Sequence, residues 1–208
     1  GPFYNLSLLP GQWSPGRHDY ENIKIDISAV GPYMCRVAGE LCDGVHVHPM
    51  HSMHYIENRL LPELAAGAKR SGRDPQEIDL IVPVFAVPGD TPEERQALIN
   101  RTKIQIAFYG STRNYAFQFD DLGFTGTTAK LGQLMKAGDM QGMAAAISDD
   151  MLEHFALIGR WDDMADAILA RYDGVASRVV SYLAIEDIKR NPGNLDKWGE
   201  IARAVNPA

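Results

Sequence analysis

The sequence predicts an α/β fold in which parallel strands alternate with crossover helices. A short β-favouring run, Lys24–Ala29, leads through Gly31-Pro32 into a helical pattern that continues to Leu41. The same order recurs, with strands predicted at 44–48 and 78–87, and this alternation is typical of parallel sheets. The third strand is almost continuously apolar, as expected when helices cover both faces of a sheet.

Two helices after these strands are indicated by spacing and by end signals. Residues 53–70 carry apolar side chains at the three- and four-residue intervals of an amphipathic helix, namely Ile56, Leu60, Leu61, Leu64 and Ala68. The next helix is predicted to start at Thr91-Pro92-Glu93-Glu94 and to run to about Phe108. That start combines an N-cap residue, a first-turn proline and acidic residues near the positive end of the helix dipole.

The second half of the chain is predicted to interrupt this alternation with a helical insertion, residues 110–160, inside one domain that spans 1–208. Between Gly110 and Arg171 we find no convincing strand pattern. Short helical patterns are predicted there at 114–122, 127–137 and 148–157. A helix at 162–172, a strand at 177–184 and a closing helix at 194–205 follow, whereas the first 22 residues are predicted to form an extended loop.

Composition limits the classes of partner. The 208 residues are 45% hydrophobic and 23% charged, the balance of a soluble protein, and the net charge of −7 argues against nucleic acid. The apolar runs have the length of strands, and no signal-peptide layout is present. Cys35 and Cys42 do not form a disulfide framework. We therefore expect a cytoplasmic protein with a small-molecule substrate and neither a nucleic-acid nor a membrane partner.

The small number of strands raises the question of what covers the sheet edges. Only about four strands are visible, and an open hydrophobic edge of a parallel sheet promotes aggregation. Either further strands precede this chain or a second copy covers the edge. We expect both a C-terminal portion of a longer fold and a homodimer.

The segment Ile25–Met34 carries the clearest chemical signal. A strand ends in small residues, turns at Gly31 and enters a helix with Pro32 near its first position. Small side chains allow a ligand to approach the backbone, and the free N–H groups of a helix N-terminus bind phosphate. The alternative is an ordinary strand-to-helix turn. No G-x-G-x-x-G or Walker motif is present.

Several segments, in order, resemble the second half of luciferase-like monooxygenases. They are Gly1-Pro2-Phe3-Tyr4, Ala29-Val30-Gly31-Pro32-Tyr33-Met34, Ala38-Gly39-Glu40-Leu41-Cys42-Asp43-Gly44-Val45, the stretch 78–94, and Ile158-Gly159-Arg160-Trp161-Asp162-Asp163-Met164-Ala165-Asp166. Two departures are Arg160-Trp161, where the family has a small residue and proline, and Cys42, where alanine is commoner.

The resemblance implies the C-terminal half of a (β/α)8 TIM barrel with an oxidoreductase activity. It is closest to the actinobacterial subgroup that uses the deazaflavin coenzyme F-420, and it implies hydride transfer between reduced F-420 and a small organic substrate. The alternatives are an FMN-dependent monooxygenase and a non-catalytic fragment that binds cofactor incompletely. The cofactor-binding residues it implies are Ser28, Ala29, Val30, Gly31, Pro32 and Met34, with Pro32 and Met34 nearest the phosphate.

Four histidines, His46, His48, His51 and His54, lie within nine residues. His46 and His48 are predicted on one side of a strand, because side chains alternate with period two. We consider these two the candidate catalytic residues, since neutral imidazole can donate or accept a proton beside a hydride-transfer centre. A His-metal site is the alternative, but no carboxylate lies inside the cluster, so no metal is predicted.

A polar and aromatic group follows the long helix after the third strand. It consists of Tyr109, Arg113, Asn114 and Tyr115. It is interpreted either as a lid over the substrate or as a solvated helix junction.

Overall fold

A computed structural model describes residues 22–206 and, before them, residues 5, 7, 8, 10–13, 16, 17, 19 and 20. Its sheet has five strands among these residues, all in parallel pairs. The strands are β1 (Asp26–Ser28), β2 (Gly44–His46), β3 (Asp79–Pro88), β4 (Ala156–Gly159) and β5 (Arg178–Ser181).

The long strand β3 organises the sheet. Its first part pairs with β2, in the register Gly44↔Asp79 to His46↔Ile81, and β2 pairs with β1 on its other side. The middle of β3 pairs with β5, and its last four residues pair with β4. Within the described residues, β1, β4 and β5 each pair with one strand only, so the sheet stays open.

Helices cross between the strands. Those before β4 are α1 (Pro32–Leu41), α2 (Met53–Tyr55), α3 (Leu61–Ser71), α4 (Pro92–Gly110), α5 (Phe117–Asp120), α6 (Thr127–Ala137), α7 (Met140–Ala145) and α8 (Asp149–Phe155). After β4 come α9 (Met164–Tyr172), α10 (Ala184–Arg190) and α11 (Asn194–Val205). A π-helical segment, Ile56–Leu60, joins α2 to α3. Short 3₁₀ turns occupy Gly11–Trp13, Pro75–Glu77 and Arg113–Tyr115.

Two hydrophobic cores flank the sheet. Val45, Leu80 and Val82 belong to the first, together with buried residues of α1, α3, α9 and α11. Phe85 and Val87 belong to the second, which the helices of residues 92–155 complete. Because successive side chains of a strand point to opposite faces, β3 supplies both cores.

Close packing of α1 on α3 depends on two glycines. A Cβ on Gly39 would lie 2.1 Å from the carbonyl oxygen of Leu64, and one on Gly67 would lie 2.0 Å from that of Arg36. The two backbones therefore approach to a distance that no other residue permits. This contact fixes α1, and with it the turn at Gly31, against the rest of the sheet.

The α/β fold class with parallel strands and crossover helices is confirmed. The Thr91 cap is also confirmed, since the Thr91 hydroxyl accepts a hydrogen bond from the Glu94 N–H at 3.2 Å. The segment Gly1-Pro2-Phe3-Tyr4 lies outside the described residues. No helix in the part of the chain that the structure describes is long and apolar enough to cross a bilayer.

Two expectations about the second half were wrong. The span 110–171 does contain a strand, β4, which is only four residues long and is formed by pairing with the end of β3. The helix α10 was not predicted, because its seven residues are too few to show a clear period, although Ala184 and Ile188 are partly buried against the first core.

Candidate active site

The carboxyl ends of the parallel strands bring the predicted site residues to one edge of the sheet. Ser28 ends β1 and pairs in register with His46, which ends β2. The predicted cofactor segment and the histidine cluster are therefore neighbours. In open and barrel-shaped parallel sheets this is the edge at which ligands bind.

The cofactor segment begins as a fixed turn. Ala29 is buried, and the carbonyl oxygen of Val30 accepts a hydrogen bond from the Tyr55 hydroxyl at 2.9 Å. Burial raises the pKa of Tyr55, so its hydroxyl stays protonated and able to donate. The turn after β1 is thus tied to the helix that begins at Met53.

The start of α1 leaves backbone donors available. Gly31 occupies the N-cap position in an extended conformation and supplies no side-chain cap, and Pro32 has no N–H. No described residue accepts from the amides of Tyr33 or Met34, since the first backbone bond is from Cys35 N–H to the Gly31 carbonyl at 3.0 Å. A Cβ on Gly31 would meet nothing within 4 Å. This open space and these free donors suit a phosphate or another anionic group.

His48 lies against two tyrosines from the segment that follows β3. Its ring centroid is 4.6 Å from that of Tyr109 and 4.6 Å from that of Tyr115. Burial lowers the pKa of His48, so the ring is neutral at physiological pH. Its Nδ1 lies 3.1 Å from the Met50 amide nitrogen and 3.3 Å from the Met50 carbonyl oxygen, so it can accept from the first or donate to the second, and no described residue contacts Nε2.

The Tyr109 hydroxyl is held by a second tyrosine. It lies 2.5 Å from the hydroxyl of Tyr182, the residue after β5, and the ring of Tyr182 packs edge-on against Phe85 at 5.2 Å. Burial and the bond to Tyr182 raise the pKa of Tyr109 to about 12. The result is a neutral cluster of hydrogen-bonding groups, His48, Tyr109, Tyr115 and Tyr182, hereafter the His–Tyr edge.

The other histidines have different surroundings. The His46 Nε2 lies 3.7 Å from an Asp26 carboxylate oxygen, and its side chain is half exposed. His51 is fully buried, whereas His54 lies on α2 with its Nδ1 3.4 Å from the Asn58 amide. Among the described residues no group of three or more metal-ligating side chains comes together, so the histidines do not converge as the metal alternative requires.

The members of the polar and aromatic group after the third strand have different surroundings, and each of the two interpretations fits some of them. Tyr109 and Tyr115 point at His48, as a substrate-side wall would, whereas Arg113 and Asn114 are exposed.

Tyr182 and Tyr55 were missed as site residues. Tyr182 lies 73 positions from its partner Tyr109, and no local pattern connects residues across such a separation.

Two cavities lie elsewhere in the fold. One of about 450 Å³ runs between α9, α11 and β5, and one of about 580 Å³ lies between α3 and the segment that leads into β5. Neither is lined by a residue of the His–Tyr edge or of the turn at Gly31. We therefore locate the site by its chemistry at the strand ends and not by cavity size.

Comparison with known proteins gives the family. The luciferase-like monooxygenase family matches residues 1–178. The chain belongs to this family. Its mycobacterial relatives include uncharacterized proteins of Mycobacterium tuberculosis and Mycobacterium bovis, each 34% identical over 180 residues that cover 86% of this chain and 53% of the relative.

Other curated relatives that match are named for their activity. A 5,10-methylenetetrahydromethanopterin reductase of Methanolobus tindarius is 26% identical over 163 residues, 77% of this chain and 48% of the reductase. The chain spans about half the length of the curated relatives that it matches.

Two solved structures share the fold. The coenzyme F-420-dependent tetrahydromethanopterin reductase from Methanopyrus kandleri superposes with a TM-score of 0.60 at 24% identity, covering 80% of this chain and 49% of that one. An F-420-dependent secondary alcohol dehydrogenase, in complex with an F-420–acetone adduct, gives a TM-score of 0.56 at 14% identity, covering 90% and 50%. At these identities the likeness shows the fold.

Proposed function

We propose that the protein is an F-420-dependent oxidoreductase that transfers hydride between the reduced deazaflavin and a small organic substrate. In this proposal Ser28, Ala29, Val30, Gly31, Pro32 and Met34 bind the cofactor. His48 lies on the substrate side as a protic residue, and His46, two positions earlier, lines the same face closer to Asp26. The coenzyme, when bound, supplies the hydride chemistry, whereas the protein orients it and excludes water.

The observation that carries the proposal is the space beside Gly31 next to the free amides of Tyr33 and Met34. A turn that needed glycine for its own conformation would show a positive φ, but Gly31 has φ −80° and ψ 157°, which other residues adopt readily. The absence of a side chain at Gly31 therefore leaves space for a ligand beside the turn. A phosphate-bearing cofactor at this edge is consistent with both the geometry and the F-420 dependence named for the two structural neighbours.

FMN is the second candidate cofactor, because the family description is that of a monooxygenase. FMN also carries a phosphate, so the turn at Gly31 suits it equally. With FMN and oxygen the reaction would be a monooxygenation. The neutral His–Tyr edge does not discriminate between the two, whereas direct binding does.

The test is a titration of the purified protein with F-420 and, separately, with FMN, followed by fluorescence quenching. We expect F-420 to bind and Gly31→Ala to weaken its Kd on the order of tenfold, because the new methyl group occupies the cofactor's space. The unfolding midpoint should not change, since that methyl group meets no protein atom. Gly193→Ala is the matched control, because it is a helix N-cap with equally open surroundings that lies away from the site.

Two outcomes would count against the proposal. Tight FMN binding without F-420 binding would replace the cofactor. Equal F-420 affinity for wild type, Gly31→Ala and Gly193→Ala would remove the turn at Gly31 from the cofactor site.

The assembly and location follow as parts of the same proposal. The single pairing of β1, of β4 and of β5 within the described residues agrees with a homodimer or with further strands that cover those edges. The two cysteines are free, which agrees with a cytoplasmic protein.

A further inference from the structure

One buried side chain beside the candidate site has no hydrogen-bond partner. Gln118, on α5, is 2% exposed, and neither its amide nitrogen nor its amide oxygen meets a partner among the described residues. Buried amide groups are nearly always hydrogen-bonded, because an unpaired one loses its bonds to water and gains none in return. Exceptions to this rule are expected at functional sites, where a ligand supplies the partner.

The contacts of its neighbours on the helix show which way Gln118 faces. The chain is helical on both sides of Gln118, so residues three positions away lie on the same face as it does. Tyr115, three positions before, contacts the ring of His48, and Asp121, three positions after, pairs with Arg59. Both of these partners belong to the segment that follows β2. The face that carries Gln118 therefore packs on that segment, between the His–Tyr edge and the ion pair.

The same helical turn also supports the strand-to-helix turn after β1. The rings of Phe117 and Tyr55 pack with their centroids 5.6 Å apart, and the Tyr55 hydroxyl donates to the Val30 carbonyl at 2.9 Å. Gln118 follows Phe117 directly. Its amide thus lies between the contacts that hold the two parts of the proposed site, the turn that we assign to the cofactor and the His–Tyr edge.

An amide side chain is complementary to a particular kind of ligand. It presents an N–H donor and a C=O acceptor side by side, which together pair with a ring edge that carries an acceptor next to a donor. Flavin and deazaflavin rings both have such an edge, formed by the C4 carbonyl and the N3–H of the pyrimidine ring. Because no described residue bonds the Gln118 amide in place, rotation about its side-chain bonds can bring it to a bound ring.

We propose that Gln118 binds the pyrimidine edge of the cofactor ring, with its amide N–H donating to the C4 carbonyl oxygen and its amide oxygen accepting from the N3–H. The inference rests on the proposed function, because that function supplies the ring. The turn at Gly31 is assigned to the phosphate, whereas Gln118 holds the ring itself. The two ends of the cofactor are then held by separate segments, and Gln118 sets which edge of the ring faces the helical insertion.

The first test compares stability without cofactor. Gln118→Met keeps the volume of the side chain but removes both unpartnered groups, so we expect the Tm of the cofactor-free protein to rise by about 2–10 °C. An unchanged or lower Tm would overturn the inference, since the amide would then be satisfied within the protein.

The matched control is Thr102→Val. The Thr102 hydroxyl is also buried and also has no partner among the described residues, but it lies about two helical turns before Tyr109 on α4. It thus shares the unpartnered polar group of Gln118 and not its place beside the site.

The second test measures the binding of F-420 by fluorescence quenching. We expect Gln118→Met to raise the Kd about 10- to 100-fold, because two hydrogen bonds to the ring are lost, whereas Thr102→Val should leave the Kd unchanged. Equal Kd values for wild type and Gln118→Met, or an equal loss of affinity in Thr102→Val, would overturn the inference.

Nuclear magnetic resonance of ¹⁵N-labelled F-420 at saturating protein gives a readout besides affinity. Hydrogen bonding deshields a proton, so the N3–H resonance of the bound coenzyme should lie downfield in wild type and move upfield in Gln118→Met. Coincident N3–H resonances in the two proteins would show that Gln118 does not bind this edge.

The outcomes separate the two proposals. If wild type binds neither F-420 nor FMN, the proposed function fails and this inference fails with it. If wild type binds a coenzyme and Gly31→Ala weakens that binding while Gln118→Met does not, the present inference fails alone.

Discussion

His48 and His51 are three residues apart, and both lose water contact on folding, yet their surroundings differ. His51 is 1% exposed with both nitrogens bonded, Nδ1 to the His48 carbonyl at 2.9 Å and Nε2 to the Tyr172 hydroxyl at 3.0 Å. The Nδ1 of His48 lies within hydrogen-bond distance of both the N–H and the carbonyl oxygen of Met50, whereas no described residue partners its Nε2. Burial lowers the pKa of both rings. The two histidines therefore differ in one ring nitrogen: both nitrogens of His51 are hydrogen-bonded, which indicates a structural role, whereas the Nε2 of His48 is available to a ligand.

The hydrogen bond between the His51 ring and the His48 carbonyl links the buried core to the candidate site. A carbonyl only accepts, so the His51 Nδ1 carries its proton and donates it to His48, while Nε2 accepts from Tyr172. Tyr172 ends α9, on the core side of the sheet. The loop that carries His48 is therefore anchored in the core by His51, which leaves the His48 ring free for the site.

The largest effect is expected from a substitution at His48, which tests whether His48 is the functional histidine of the pair. His48→Gln should lower kcat for F-420-dependent reduction at least 100-fold, because the glutamine amide can form hydrogen bonds but cannot exchange a proton with the substrate as imidazole can. The free energy of unfolding should change by less than about 1 kcal/mol, since the ring is only half-buried. Steady-state kinetics and urea unfolding measure the two. An intact kcat combined with a large loss of stability would make His48 structural.

The next effect is a pH dependence of stability that belongs to His51. Its pKa is near 6.5 when unfolded and about 4 when folded, because burial excludes the charged form. Between these values the unfolded chain binds the extra proton, so stability falls as the pH drops from about 6.5 to about 4, by roughly 3 kcal/mol in total.

The variant His51→Gln isolates this contribution. Urea unfolding of both proteins at pH 7 and pH 4.5 should show that the stability advantage of wild type shrinks on acidification. Carboxylates elsewhere titrate equally in the two proteins and cancel in the difference. A wild-type advantage that is independent of pH would show that His51 is not held neutral by burial.

A smaller effect is expected when the Tyr172 hydroxyl, which donates a hydrogen bond to His51 Nε2, is removed. Tyr172→Phe leaves His51 Nε2 buried without a donor, which should cost about 1–3 kcal/mol of unfolding free energy. The kcat of the folded protein should be retained, since Tyr172 is on the core side. Thermal unfolding with parallel kinetics measures both. A loss of kcat with unchanged stability would move Tyr172 into the site.

The smallest effect concerns how the insertion is held near His48. Arg59, on the π-helical segment, forms an ion pair with Asp121, and its guanidinium carbon lies 4.9 Å from the centroid of the Phe117 ring. Both charged side chains are partly exposed, so a double-mutant cycle of Arg59→Met and Asp121→Asn should give a coupling of at most about 1 kcal/mol. A coupling of several kcal/mol would show that the pair, and not the packed aromatic residues, positions the insertion.

Local patterns in the sequence predicted much of the fold. The closing helix was predicted at 194–205 and is found at Asn194–Val205, and strands β1, β2, β3 and β5 lie within a few residues of their predicted bounds. The strand β4 was missed because its four residues become a strand only through pairing with β3, a partner that lies about 70 positions away.

The candidate site was predictable only in part for the same reason. His46, His48 and the turn at Gly31 were identified because each carries a short-range signal, in spacing or in a turn. The ring contacts of Tyr109 and Tyr115 with His48, and the hydrogen bond between Tyr109 and Tyr182, join three separate segments of the chain. Periodicity fixes which face of an element a residue occupies, but not which distant face it meets.

A crystal structure of the protein with F-420 bound tests the central claim most directly. We expect the cofactor phosphate within hydrogen-bond distance, about 3 Å, of the amides of Tyr33 and Met34. The deazaflavin ring should then lie at the strand ends beside His48. A cofactor bound away from the turn at Gly31, with its ring remote from His48, would contradict this placement.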